Sequence, residues 1–237
     1  MFSGPRISVH LFAETTASSS FKKGTLFFFN FTINSTDLLL EPFVPSLSER
    51  LGQLSYLSSR FDKRCIHWRF DPICFYRFLG RTRHHNLHDF LQIADVAGDC
   101  GIQTCITSFM DHYPKIHKRV RSIKGFSFLD PPDDQKVDIL MKMETILQSR
   151  RIRLLTCCEP KLMGQLPLHS KIGNSSCISG HLLVEIYGER LTIRKDRGQR
   201  ILKGCGCQAS VDIGSYTRHP CYHNCLFCYA NPKMRSQ

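Results

Sequence analysis

The chain has 237 residues, enough for one domain with a small appendage, and its hydrophobic fraction of 42% can fill a core. The longest apolar run, Leu26–Ile33, is far too short to span a bilayer, so no membrane segment is expected. Thirty-two Lys and Arg against 20 Asp and Glu give a formal charge of +12, which favours acidic partners, nucleic acid among them. The bases are scattered, however, and the runs Lys118–Lys124 and Arg190–Arg200 equally suit solvated faces or anion-binding loops.

Residues 1–23 are poor in acids and rich in Ser and Thr, and read as an extension, disordered or targeting. A rhythm then begins. "TLFFFNFTI" (Thr25–Ile33) reads as a strand. Pro45–Arg60 reads as a helix, with Leu47, Leu51, Leu54 and Leu57 on one face and Ser46 and Glu49 at capping-box spacing. Arg64–Ile73 is a second strand, stopped by Pro72. Asn86–Gly98 is a second helix, with Asn86 as N-cap and Gly98 just past its end. Gln103–Asp111 is a third strand and Asp133–Arg150 a third helix, with acids in its first turn and Arg150 in its last. Arg151–Pro160 is a fourth strand and Ser179–Gly188 a short fourth helix.

Strands alternating with helices imply parallel pairing, because each helix carries the chain back across the sheet. The expected fold class is therefore α/β, a partial parallel (β/α) barrel spanning 24–203, followed by a cysteine-rich cluster-binding tail over 204–237. Three of the strands end in acids: Asp71, Asp111 and Glu159. Ligands of parallel α/β folds meet the carboxyl ends of strands. These three are the candidate catalytic residues, against the plainer reading that acids favour loop starts and pair with nearby Arg.

Twelve cysteines are many. No clean secretory signal opens the chain, and the sequons at Asn30 and Asn34 lie in or beside an apolar strand. The expectation is a reducing interior, cytoplasmic or organellar, where clustered thiols bind metal instead of one another. Cys221, Cys225 and Cys228 form C-x3-C-x2-C, with Phe227 before the last thiol. Sulfur ligands select zinc, copper(I) or iron–sulfur clusters. Three thiolates can hold three irons of a four-iron cube and leave the fourth open to a small molecule. Upstream, Cys205 and Cys207 form a C-x-C pair.

The trio resembles the C-x3-C-x-aromatic-C motif of the radical S-adenosylmethionine enzymes. The longer stretch "CGCQASVDIGSYTRHPCYHNCLFCYAN", together with "LFFFNFTI", "WRFDPI", "SFMDHY", "TCCEP" and "SSCI" (Ser175–Ile178), resembles an uncharacterised family known as domain of unknown function 1848. That resemblance covers about Leu26 to Pro232. It implies a [4Fe–4S] cluster on Cys221, Cys225 and Cys228 and supplies no substrate. Two family motifs, resembling "SRRTDIP" and "TKNP", are absent, so the first strands of the barrel are expected to be missing. Cys157, Cys177, Cys205 and Cys207 are further candidate ligands, either completing the first cluster or forming a second one. Cys65, Cys74, Cys100, Cys105 and Cys158 read as small packing residues. His84, His85 and His88 read as a solvated face, and His219 and His223 flank the trio.

Three functions remain open on these residues. The first is a radical enzyme that binds S-adenosylmethionine beside Tyr229 and Asn231, takes electrons from a donor, and acts on a small molecule or a nucleic acid. The second is a non-catalytic iron–sulfur protein with every iron held by cysteine. The third is a zinc-stapled binding module.

Overall fold

The computed structural model describes residues 7–12, 26–188, 193–196, 204–211 and 220–229. Nine strands occur among them: β1 (Ile7–Phe12), β2 (Leu26–Thr32), β3 (Ile66–Ile73), β4 (Phe75–Phe78), β5 (Arg83–His85), β6 (Thr104–Phe109), β7 (Phe126–Leu129), β8 (Arg153–Thr156) and β9 (Gly173–Asn174). Six helices accompany them: α1 (Leu47–Arg60), α2 (Phe90–Asp99), α3 (Pro114–Val120), α4 (Asp133–Gln148), α5 (Pro160–Met163) and α6 (Gly180–Tyr187). The main sheet runs β1-β2-β3-β6-β8-β9. Its last five strands are mutually parallel, and β1 pairs antiparallel with β2.

The local chemistry of α1 is as the sequence dictates. Ser46 Oγ accepts from Glu49 N, and Ser46 N donates to Glu49 Oε2 at 2.9 Å, which satisfies two N–H groups that a helix start leaves open. Leu51, Leu54 and Leu57 are buried from this helix.

Successive residues of a strand point to opposite faces, and here the faces differ in chemistry. Ile66, Trp68 and Phe70 of β3 join Phe29, Phe31, Cys105 and Leu154 in one core. That core is closed by Leu54 of α1, Ile93 and Ala97 of α2, Leu140 and Leu147 of α4, and Leu162 of α5. The opposite face carries Asn30, His67, Arg69, Asp71, Ser108 and Cys157. α6 covers one end of it, where Leu183 packs on Phe28 and Cys65. Asn30 Nδ2 donates to the Cys177 carbonyl at 2.9 Å, which ties a cysteine-bearing loop across the same face.

A second, antiparallel sheet, β5-β4-β7, stands beside the carboxyl ends of the main strands. Tyr76, Phe126 and Phe128 from this sheet, Ile116 and Val120 from α3, and Leu226, Phe227, Cys225 and Cys228 from the tail form a separate apolar cluster.

Several expectations require correction. β3 does not stop at Pro72: the Asp71–Pro72 peptide is cis, and the strand continues to Ile73 with a shift in its pairing to β6. Asn86 does not cap a helix. Its Oδ1 accepts from Cys74 N and its Nδ2 donates to the Pro72 carbonyl, both at 2.9 Å, so it staples the turn between β3 and β4. The N-cap position of α2 belongs to Asp89, and Gly98 lies inside the helix. The segment read as an extension carries β1. The antiparallel sheet and α3 had no counterpart in the sequence reading. Among the described residues the main sheet ends in two edges, β1 and β9, and does not close into a barrel. No helix among them is long and apolar enough to cross a membrane.

Candidate functional site

The carboxyl ends of β2, β3 and β6 open onto a cavity of about 280 Å³, near the lower end of the range for small-molecule sites, roughly 300–1,000 Å³. Asn30, Thr32 and Asn34 line it from β2 and the turn after it, Arg69 and Asp71 from β3, and Ser108 and Asp111 from β6 and its exit. Cys177 lines it from the loop after β9, and His223, Phe227, Cys228 and Tyr229 from the tail. The C-terminal cysteine motif thus meets the strand ends that carry the acids.

Asp71 is saturated with partners. Arg69 Nη2 donates to its Oδ2 at 2.6 Å, Ser108 Oγ donates to its Oδ1, and Asn34 Oδ1 accepts from its backbone N–H at 2.9 Å. The other end of the Arg69 guanidinium donates to Cys177 Sγ at 2.7 Å. Burial opposes the charge of Arg69, but Asp71, Cys177 and Cys157 outweigh it and hold its pKa well above the ordinary value. Asp71 therefore serves chiefly as the counter-ion that fixes Arg69 in the cavity wall.

Asp111 lines the cavity, but Glu159 does not. Glu159 Oε1 accepts from Phe109 N at 2.8 Å and braces the end of β6 from outside the cavity. Burial pushes its pKa up to about 7, against the pull of that hydrogen bond and of Lys136. Two of the three acids share the mouth, and the third supports it.

The tail is held as a built element. Arg119 of α3 donates to the carbonyls of Cys225 at 3.2 Å, Leu226 at 3.3 Å and Cys228 at 2.8 Å. Leu226 N donates to the Leu40 carbonyl at 2.8 Å, and His223 Nδ1 lies 2.8 Å from the Phe43 carbonyl oxygen. These bonds satisfy the backbone of the cysteine turn, so its thiols need not share that duty. Cys225 and Cys228 are buried, and Cys221 is half-buried. Cys225 Sγ lies 3.7 Å from Glu41 Oε1. Tyr229 is exposed at the rim, its ring 6.3 Å from that of Tyr113. Asn231 and His219 lie outside the described residues.

The four further thiols gather elsewhere. Cys157 Sγ stands 3.6 Å from Cys177 Sγ. Cys205 and Cys207 flank Gly206, which packs against Ser176, and so lie beside the Cys177 loop. None of these contacts reaches the trio. Cys74, expected to be a packing residue, is one: it is fully buried in the same apolar cluster as Cys225 and Cys228. Burial, then Glu41, Asp37, Asp71 and Cys225, raises its pKa well above the ordinary value. As placed, no three or more His, Cys, Asp or Glu side chains among the described residues are arranged to hold a single metal ion.

The sequence reading missed Glu41, Asn34, Arg50, Arg69, Ser108 and Arg119. Arg69 alone had a usable signal, since it lies two residues before Asp71 on a strand and so shares its face. The sequons at Asn30 and Asn34 sit on side chains that are 2% and 1% exposed, so neither asparagine presents itself for modification.

A family model described as Domain of unknown function (DUF1848) matches residues 12–230. The chain belongs to this family. The match spans β2 through the cysteine turn, so the DUF1848 unit includes both the cavity and its thiol-bearing tail. No curated protein matches the chain, and no solved structure matches it.

Proposed function

We propose that this DUF1848 protein is an iron–sulfur protein, with a [4Fe–4S] cluster on Cys221, Cys225 and Cys228 that serves an enzyme of the radical S-adenosylmethionine type. One observation carries the reading. Cys228, flanked by Phe227 and Tyr229, lines the same cavity as Arg69, Asp71 and Asp111 at the carboxyl ends of parallel strands. α1, α2, α4 and α5 cover one face of the sheet and α6 only an end of the other, more polar face, which is how an incomplete barrel wall would present such a site.

The donor types suit the group, although as placed the three sulfurs are not gathered round one point. Cys225 and Cys228 lie in an apolar shell, and Arg119 has taken the carbonyls of their turn, which leaves soft sulfur as the available chemistry. A reduced cluster held there supplies the single electron needed to cleave S-adenosylmethionine. The chain's own groups do the rest. Asp111 offers a carboxylate to the cofactor's ammonium, and Arg50 and Arg69 set a positive wall for a carboxylate. Tyr229 and Tyr113 stand where the mouth meets solvent.

The test is anaerobic reconstitution with iron and sulfide, reduction, and assay for 5′-deoxyadenosine from S-adenosylmethionine. Equal amounts of iron and sulfide, lost in Cys225→Ala, together with deoxyadenosine formation, are the expected result. An intact cluster with no cleavage sinks the enzymatic part. A second reading, a cluster ligated wholly by cysteine and without catalysis, draws support from Cys74 beside Cys225. Under it, Cys74→Ala destroys the cluster. Under the first, Cys74→Ala spares it.

A further inference from the structure

Beyond the trio, we infer that Cys157, Cys177, Cys205 and Cys207 form a second metal site, a tetrathiolate for one zinc-type ion. It adjoins the cavity through Cys177 and is independent of any cluster on the tail. Three separate segments bring these thiols together. Cys157 follows β8, where its N–H donates to the Thr107 carbonyl at 2.9 Å. Cys177 lies just past β9, whose exit is pinned by Ser175 N donating to the Thr156 carbonyl at 2.7 Å. The 205–207 turn is fastened to that loop by Gln208 N donating to the Ile178 carbonyl at 2.9 Å and Gly180 N donating to Gln208 Oε1 at 2.7 Å.

Glycine at 206 allows the approach: a Cβ there would stand 2.5 Å from Ser176 Oγ. C-x-C with a small middle residue lets two thiols of one turn reach one centre. In the structure Cys157 and Cys177 stand side by side, and the packing of Gly206 on Ser176 sets Cys205 and Cys207 next to that pair rather than around a point. The Cys157–Cys177 separation suits one edge of a metal site. Four sulfurs about 2.3 Å from a zinc ion lie about 3.8 Å apart along each tetrahedral edge. Cys157 and Cys177 stand at 3.6 Å. Binding an ion requires the four side chains to turn toward a common centre, since as placed no three of them surround one.

Arg69 gives the site its outer shell. Its Nη1 donates to Cys177 Sγ while its Nη2 holds Asp71, so one guanidinium joins the thiols to the cavity wall and offsets part of a tetrathiolate's negative charge. Cys158, whose Sγ is 3.8 Å from Cys157 Sγ, is the neighbour left out. On its left-handed backbone, at φ 62, it is half-exposed.

The experiment removes the tail cluster first. A Cys221→Ala/Cys225→Ala/Cys228→Ala chain, checked for native Trp68 fluorescence, is titrated anaerobically with Co(II) and then Zn(II). The expected result is one equivalent of Co(II) with the intense visible bands of tetrahedral thiolate ligation, displaced by Zn(II). Adding Cys177→Ser or Cys207→Ser abolishes the bands, whereas adding Cys158→Ser leaves them. Absence of the bands in a natively folded triple variant overturns the site. So does their survival in Cys177→Ser, or uptake of iron with sulfide in place of a single ion. Because the tail thiols are absent throughout, none of these outcomes depends on the iron–sulfur reading.

Discussion

Arg69 is the residue on which the cavity wall turns. It is 9% exposed and bonds a carboxylate on one side and a thiol on the other. Removing its counter-ion leaves a charge buried without compensation, which costs far more than the pair contributes net. Asp71→Asn is therefore expected to cost about 3 kcal/mol in denaturant unfolding. Combining it with Arg69→Met should recover at least about 1 kcal/mol of that loss. Strict additivity of the two changes would show that the ion pair is not what holds the wall. The same geometry explains why three acids that look equivalent in the sequence differ in the fold. Asp71 neutralises an arginine, Asp111 faces the cavity, and Glu159 holds a backbone N–H from outside it.

Among the elements, the cysteine turn depends on α3. One guanidinium nitrogen, Arg119 Nη1, donates to three carbonyls of the turn. Buried carbonyls deprived of a donor cost about 1–3 kcal/mol. Arg119→Met should therefore loosen the turn while leaving α3 helical, since methionine is a good helix former. The reading is thiol alkylation: Cys225 and Cys228, buried in the native protein, should react roughly tenfold faster in the variant, in proportion to local opening. Unchanged alkylation would mean that the apolar packing of Leu226 and Phe227 suffices. α3 escaped the sequence reading for a physical reason. It has seven residues, Pro114 at its start and only Ile116 and Val120 buried, too short a pattern for a helical period to register. By contrast α1 and α4 run 14 and 16 residues with buried leucines at helical spacing, and their positions were legible.

Among the described residues the two larger apolar cores lie one between the main sheet and its helices and one joining the tail to the antiparallel sheet, with a small third cluster under α6. They need not fail together. Phe227 is 6% exposed in the second core, and Phe227→Ala should cost about 3–4 kcal/mol there. Amide exchange is the measurement. Protection should fall in β4, β7 and the tail, while β3 and β6 and the Trp68 emission hold. Equal loss everywhere would make the two cores a single cooperative unit.

By itself the sequence determined the parallel part of the fold, because alternating strands and amphipathic helices have few ways to bury their apolar faces. The turn from Cys225 to Cys228, closed by Cys228 N donating to the Cys225 carbonyl, is likewise local. Only the tertiary structure decided which thiols keep company. Cys157, Cys177, Cys205 and Cys207 come together across 50 residues of chain, and Cys74 joins the tail, through contacts that local pattern does not encode. The same holds for the cavity. Strand ends far apart in the chain become neighbours only when the sheet pairs, and the tail reaches them only because Arg119 and the loop at Leu40 and Phe43 receive its backbone.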